Sequence, residues 1–409
     1  MKILLVSDYG TPTGGAEIQF LGMRERLRAR GHDVRFFASA AQPTAVPNAA
    51  DYTCFGTTSR LRGLLQTANP WAAQQLRTVL ETFQPDVVHV KIFLTQLSPL
   101  ILPLLRNVPA LYHVVWYRPV CPTGTKLLPN GAACTQQPGA VCLRHGCVPL
   151  QDWAPLMLQM RLWRRWRDSF KLIVANSAAT RAHLLAAGIG PVEVIWNGVR
   201  PRPLRPALPD LPLVVFAGRL VPEKGVDLLL RAFQLVAREL PAARLLLIGE
   251  GPEQAALHKQ AGALGLAERV EMTGRLPREE LEARCGAAWV QAVPSRWDEP
   301  FGIVAAEAAM RGTAVVASAG GGLAEIVQDG ETGLLVPPGD EQALAAALLR
   351  LLRNREQAEA FGRAGRTRAL QHFNEDLVAE AFLERYRRIS SGELGRPTPP
   401  RDPVEATST

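Results

Sequence analysis

The stretch PSRWDEPFGIVAAEAAMRG, residues 294–312, decides the fold because it passes from loop to helix between two carboxylates. Glu299 and Glu307 have seven residues between them, beginning with Pro300-Phe301-Gly302. From Phe301 onward helical spacing sends Val304, Ala305 and Ala308 one way and leaves Glu307 near the helix start, while Gly302 exposes backbone amides. Free amides at a helix N-terminus attract anions, so a phosphate is the natural guest, and the carboxylates suit hydroxyls of a sugar or ribose. Taken alone, the pair is equally well a solvated surface or an N-terminal cap. Its neighbours carry the decision.

Outward from this stretch, the apolar runs AAWVQAVPS and TAVVASAGG flank it as strands. The same alternation fills the chain. KILLVSD (2–8), DVRFFAS (33–39), DVVHVKI (86–92), ALYHVVW (110–116) and KLIVANS (171–177) alternate with helical patterns at 16–29 and 71–83. VEVIWNGV (192–199) and the Pro-rich RPRPLRPALPDLP (200–212) then lead into a second series, LPLVVFAGR, ARLLLIGEG, RVEMTGR and onward to GLLVPPG. Buried apolar strands separated by helices signify parallel sheets covered on both faces. A chain of 409 residues also exceeds one ordinary core. The expectation is an α/β protein of two Rossmann-like doubly wound domains facing across a cleft. They are residues 1–198, with a Cys-rich insertion at 118–150, and residues 199–372. A helix at 373–390 should pack back on the first domain, and the polar, Pro-rich stretch 391–409 should be a disordered tail.

With 47% hydrophobic and 21% charged residues the chain reads as soluble and globular. It has no apolar run of 18 residues, and MKILLVSD is too short and too soon acidic for a signal peptide, so a cytoplasmic protein is expected. The net charge of +8 suits anionic partners, but it is mostly Arg spread along helices and no nucleic-acid motif accompanies it. Nucleic acid is therefore set aside as a partner.

In open α/β sheets ligands sit beyond the C-terminal strand ends. Strand one ends at Ser7-Asp8, followed by Gly14-Gly15-Ala16-Glu17 opening a helix. The first strand of the second series ends in Phe216-Ala217-Gly218-Arg219 and continues to Lys224-Gly225, two cations five apart that suit a diphosphate. Gly249-Glu250-Gly251-Pro252 and Gly320-Gly321-Gly322-Leu323-Ala324-Glu325 are further glycine-rich ends. Singly, a Gly-Gly loop is as readily a tight turn, and Arg219 with Lys224 as readily surface charge.

Together, GRLVPEKGVDLLLRAF, LLLIGEGPE, VEMTGRLP, PSRWDEPFGIVAAEAAMRG, GGLAEIVQDGETGLLVPPGD and the N-terminal Gly-Gly-Ala-Glu resemble the retaining glycosyltransferases of family 4, or group 1, with the GT-B fold, over most of residues 1–390. The resemblance implies a nucleoside-diphosphate sugar as donor, with Gly14 and Gly15 approaching it through backbone. Arg219 and Lys224 would neutralise the departing diphosphate. Amides of Phe301, Gly302 and Ile303 would hold phosphate or sugar hydroxyls, Glu299 would orient the transferred sugar, and Glu307 would accept from the ribose. His113, at a first-domain strand end, would lie near the transferred sugar, although Val114 follows it where the family usually has Asp. Arg200 likewise replaces an Asp after Asn197-Gly198-Val199. Such enzymes are held to react at the front face, the departing phosphate activating the acceptor hydroxyl, so no protein nucleophile is needed. No Asp-x-Asp occurs, so no catalytic metal is expected. The acceptor would be a saccharide or lipid-linked saccharide in polysaccharide or glycolipid assembly. The alternatives are a sugar-nucleotide epimerase of the same fold, a pyridoxal-dependent phosphorylase, for which no lysine stands in a recognisable Schiff-base context, and a catalytically inactive GT-B binding module.

Two features stand apart. Cys121, Cys134, Cys142 and Cys147 crowd the insertion after His113, while Cys54 and Cys285 are remote. They leave open a structural zinc site, with His145 as a further ligand, disulfides in an oxidising compartment, or free thiols. RLWRRWRDSFK (161–171) alternates Arg with aromatics, which suits an anionic bilayer at the inner face of a membrane or, equally, a covering helix with Leu162, Trp166 and Phe170 as core anchors.

Overall fold

In the computed structural model, residues 1–12 and 14–393 are described; the expected tail lies, from residue 394 on, outside them. Strands β1 (Lys2–Tyr9), β2 (Asp33–Ser39), β3 (Tyr52–Cys54), β4 (Val87–Ile92), β5 (Ala110–Val114), β6 (Leu172–Ala175) and β7 (Val192–Val194) form the first sheet. Its order is β3-β2-β1-β4-β5-β6-β7, with parallel pairing throughout. Strands β8 (Leu213–Ala217), β9 (Arg244–Ile248), β10 (Val270–Gly274), β11 (Val290–Val293), β12 (Ala314–Ser318) and β13 (Gly333–Val336) form the second. Its order is β10-β9-β8-β11-β12-β13, again parallel. The doubly wound α/β expectation is met. In each sheet the winding reverses beside the first strand, between β1 and β4 and between β8 and β11. A crevice opens at such a reversal.

The helices of the first half are α1 (Gly15–Ala29), α2 (Arg62–Leu65), α3 (Pro70–Phe83), α4 (Ala140–Arg144), α5 (Leu150–Trp166) and α6 (Ala178–Ala186). Those of the second are α7 (Val226–Glu239), α8 (Gln254–Ala263), α9 (Arg278–Gly286), α10 (Ile303–Arg311), α11 (Leu323–Ile326), α12 (Glu341–Leu352), α13 (Arg355–His372) and α14 (Glu375–Ser390). Alternate strand residues face opposite layers. Leu4 and Val6 of β1 join Leu76 of α3 and Trp163 of α5, whereas Ile3 and Leu5 join Phe20 of α1 and Phe382 of α14. Both faces being covered explains why these strands read as unbroken apolar runs.

Helix α14 follows the second sheet in sequence yet covers the first. Val378, Phe382, Leu383, Tyr386 and Ile389 form its buried stripe, Arg26 and Arg30 of α1 pair with Glu375 and Glu380, and Arg385 pairs with Glu193. The chain crosses back where Val199 N donates to Phe373 O and Glu375 N donates to Val199 O. Of the aromatics at 161–171, Trp163 is the deepest: fully buried, its Nε1 donates to Pro119 O at 3.0 Å, and Arg161, Arg164 and Arg165 remain exposed. The core register therefore runs through Trp163 and Phe170, with Leu162 and Trp166 half-buried.

Candidate active site

The second sheet's reversal brings the loop after β8 against the loop after β11. Gly225 permits this contact: its φ is +66°, and any Cβ there would collide with the Pro294 carbonyl. Held by that approach, Lys224 Nζ donates to Glu299 Oε1 at 2.5 Å, and Ser295 Oγ donates to the same oxygen at 2.6 Å. Glu299 is 4% exposed. Burial alone would raise its carboxyl, but the Lys224 charge and the donated hydrogen bonds outweigh that and hold it below the ordinary range. Arg219 stands differently. Its side chain is 67% exposed and reaches only Glu223, at 3.5 Å, so its guanidinium is turned to solvent within the crevice.

The glycine run after β12 proves to be a seat rather than a cradle. Gly322 N donates to Glu299 O at 2.7 Å, and a Cβ on Gly322 would lie 2.5 Å from Phe301 Cα. This packing fixes Glu299 to Gly302 directly ahead of α10, where Phe301 is buried and Gly302 takes the left-handed conformation at the helix start. The first amides of α10, from Ile303, have no carbonyl one turn below them.

Across the cleft, α1 begins at Gly15 after Gly14, which makes no side-chain cap hydrogen bond. A Cβ on Gly15 would lie 2.9 Å from Ile303 Cδ1, so the starts of α1 and α10 oppose one another. Two positive helix ends thus meet here, and the Lys224 ammonium and the exposed Arg219 guanidinium follow β8, donors of the kind an extended anion such as a diphosphate requires.

Further contacts join the halves. Glu325 accepts from the amides of Ala178 and Ala179, at 2.9 and 3.0 Å, and from Trp196 Nε1 at 2.8 Å. Thr180 Oγ1 donates to Pro300 O at 3.1 Å, and His183 Nε2 meets Asp298 Oδ2 at 3.2 Å, a bond that lowers the Asp298 carboxyl.

Three expectations meet a different placement. His113 lies within β5 and is 1% exposed, its ring against His89 (5.5 Å) and Phe382 of α14 (4.9 Å). It shares the face of Leu111 and lines a cavity of about 20 Å³ with Gln19, Lys91, Asn197 and Glu375, behind the start of α1. Burial holds it neutral, well below the usual imidazole range. Glu307 is on the second turn of α10, where its Oε1 accepts from Arg202 of the linker at 3.0 Å. Arg202 also pairs with Glu282 of α9. The cysteines, finally, are all free thiols, and among the described residues no three His, Cys, Asp or Glu side chains group to hold a metal. Cys121 packs in the first-domain core and Cys142, with Cys147, against Val148 and Leu156, yet the four thiols stand near enough to act on one another: besides burial, Cys142, Cys134 and Cys121 all help raise Cys147. The expected zinc set Cys121, Cys134, Cys142 and Cys147 is therefore near together but not arranged as ligands among the described residues.

Residues that sequence reading passed over complete the frame. Asp8 is fully buried, its carboxylate taking the amides of Thr95, Gln96 and Leu97 and the Thr95 hydroxyl, which ties the end of β1 to the loop after β4. Trp297, from the second half, packs into the first-domain core beneath Lys224, 5.7 Å from its Nζ. The signal for Asp8 was an acid closing an apolar strand; Trp297 carried none.

Residues 205–368 match the family "Glycosyl transferases group 1", and residues 13–202 match "Glycosyltransferase Family 4". The chain is 41% identical over 175 residues to a GDP-mannose-dependent alpha-(1-6)-phosphatidylinositol monomannoside mannosyltransferase of Mycolicibacterium smegmatis, covering 41% of this chain and 46% of that one. It is 34% identical over 289 residues to an alpha-maltose-1-phosphate synthase of the same species, covering 61% and 73%. Among solved structures, a sucrose-phosphate synthase from Thermosynechococcus elongatus superposes with a TM-score of 0.74 at 26% identity, over 96% of this chain and 100% of that one. Against several GDP-mannose-dependent mannosyltransferases and a glycogen synthase of mycobacteria, the aligned part spans 46% to 66% of the relative's length.

Proposed function

Because the chain belongs to the group 1, family 4 glycosyltransferases, we propose that it moves a glycosyl unit, with retention of configuration, from a nucleoside-diphosphate sugar to a hydroxyl of a saccharide or lipid-linked saccharide. The observation that carries this reading is the Lys224–Glu299 pair at the β8/β11 reversal, facing the start of α1. In the proposed reaction the bond between the anomeric carbon and the diphosphate oxygen breaks, and the acceptor oxygen bonds to that carbon on the same face. The acceptor proton passes to the departing phosphate. Arg219, Lys224 and the amides at Gly302 and Ile303 stabilise the charge that develops on the leaving group, in a crevice where such donors are already fixed. Glu299, restrained by Lys224 and Ser295, orients the transferred sugar. Glu307 retains Oε2 for the ribose while Oε1 serves Arg202.

A relative named for a phosphatidylinositol-linked acceptor supports a glycolipid product, within polysaccharide or glycolipid assembly. Surface residues support that reading. Phe55 and Trp71 are exposed with ring centroids 5.2 Å apart, Leu61 and Leu64 project beside α2, and α5, packed against α2, presents Leu158 with Arg161, Arg164 and Arg165. Apolar tips ringed by arginine suit an anionic membrane surface. No helix among the described residues is long and apolar enough to cross a membrane.

The test is thermal stabilisation by UDP-, GDP- and ADP-sugars, followed by detection of released nucleoside diphosphate with a crude glycolipid acceptor. Binding with no release would favour an inactive module, and conversion without acceptor an epimerase. An absence of binding by all donors ends the reading.

A further inference from the structure

We propose that Lys91 is a positioning residue for the donor diphosphate: from behind α1 it fixes the helical turn that opposes α10 across the cleft. The proposal rests on the donor reading of that cleft.

Lys91 lies at the end of β4, beside β1, at the reversal of the first sheet. Its side chain is 1% exposed; Nζ donates to the Ala16 carbonyl at 3.1 Å and stands 5.3 Å from the Phe20 ring centre. Burying an ammonium is expensive unless it is paired, and a helix N-terminus is electrostatically the wrong end for a cation. A lysine serving stability alone belongs at the other end of the helix. Here it adds positive potential directly beneath the amides of Gly15 and Ala16, where the helix dipole already favours an anion.

On the same turn Gln19 donates to Gly198 O at 2.7 Å, and a Glu17 carboxylate oxygen lies 3.2 Å from where a Gly14 Cβ would stand. Glu17, on the same turn, is the opposite charge within reach of Lys91. The remaining ionisable groups facing this region are His89 of β4, His113 of β5, and Tyr386 and Glu375 of α14. Burial keeps both histidines neutral and the Tyr386 phenol protonated, which leaves Lys91, Glu17 and Glu375 as the charges. Burial also pushes Lys91 down to about 7, with Glu17 partly opposing. A lysine so depressed is charged below that pH and loses its charge as the pH rises through it, so affinity for an anion should be highest below about 7 and decline above.

The test compares K91M, K91R and R219A with the wild-type full chain. Calorimetry with UDP, GDP and ADP is run from about pH 6 to about pH 9, which brackets the depressed lysine value and stays below the ordinary one. Hydrogen exchange at residues 15–19 is measured on the same proteins. K91M should lower kcat/KM for the donor roughly ten- to hundredfold, the scale of a misplaced binding group, accelerate exchange in that turn, and abolish the decline of affinity above neutral pH. K91R should restore affinity and remove the neutral-pH decline, since arginine keeps its charge. Should K91M bind diphosphate as wild type does while R219A loses it, the proposal is overturned and the donor reading stands. Should R219A also bind normally, the donor reading itself fails. If K91M does not fold, a flat wild-type affinity profile across that pH range overturns the proposal without it.

Discussion

Lys224 and Glu299, 75 positions apart in sequence, meet through a 2.5 Å hydrogen bond, while Arg219, five residues before Lys224, remains 67% exposed beside the same crevice. Two cations of one motif thus carry different loads. Lys224 is tied to a buried carboxylate, whereas Arg219 is left to solvent.

This difference is measurable. R219A should weaken nucleoside-diphosphate binding by about 1–3 kcal/mol with an unchanged Tm, because no buried partner is left behind. K224A should weaken binding on the same scale and also lower stability by about 2–3 kcal/mol, since Glu299 would remain buried without its counter-ion. Calorimetric titration with UDP, GDP and ADP, alongside urea unfolding, separates the two effects. Equal Tm losses in both variants would contradict this division.

The same pair sets an acid limb. Glu299 is held below its ordinary range in the folded state, so its contribution to stability is fully present above the unfolded carboxylate pKa, near 4.5, and is lost as the pH falls through the lower folded value. E299Q should flatten that part of the urea-stability profile below about pH 5 while costing donor turnover. An unaltered acid limb in E299Q would count against the pair as its source.

Close approach should be tested at two glycines of unequal tolerance. At Gly15 the atom in the way is the far end of Ile303, so G15A should fold with little loss, G15V should impair donor binding, and I303V should relieve it. At Gly225 the obstacle is backbone and φ is positive, so G225A should destabilise by about 1–3 kcal/mol or more and have no such suppressor. Tm measurements on the four variants and the G15V/I303V double decide.

Thiol chemistry provides a fourth check. All six cysteines should react in denaturant without reductant, whereas in the native protein Cys134 and Cys147, the two partly exposed thiols, should label first. Burial pushes the Cys54 thiol up to about 12 and raises Cys285, so both should be inert. Metal analysis tests the zinc reading of the insertion: a full equivalent of zinc, lost in C142S, would support it, and none would end it.

The membrane surface has its own measurement. Flotation with vesicles containing anionic lipid should fall when Leu61 and Leu64 become Ser or when Arg164 and Arg165 become Glu, and the arginine effect alone should fade with salt. Binding unchanged in both variants would remove this surface from the account.

How far the sequence could be read follows from where each signal resides. Unbroken apolar runs with short helical intervals required parallel, doubly covered sheets, and a reversal beside each first strand follows from such winding. Cations and glycines at strand ends marked the crevice. The face of His113 was open to reading only in part: period-two alternation puts it with Leu111, but which layer Leu111 meets depends on α14, which arrives after the whole second sheet. The four cysteines of the insertion lie near one another in sequence, but that Cys121 joins the first-domain core could not be read from their spacing.

By itself, then, the sequence determined the layers, the phosphate-loving helix starts and the absence of an Asp-x-Asp pair, since periodicity and turn chemistry act over a few residues. Only the tertiary structure decided that Gly320 to Gly322 are a seat for Glu299, that Arg202 occupies Glu307, and that Lys91 lies beneath α1. Those contacts join residues tens to hundreds of positions apart, and docking of elements, rather than local spacing, brings them within hydrogen-bonding reach.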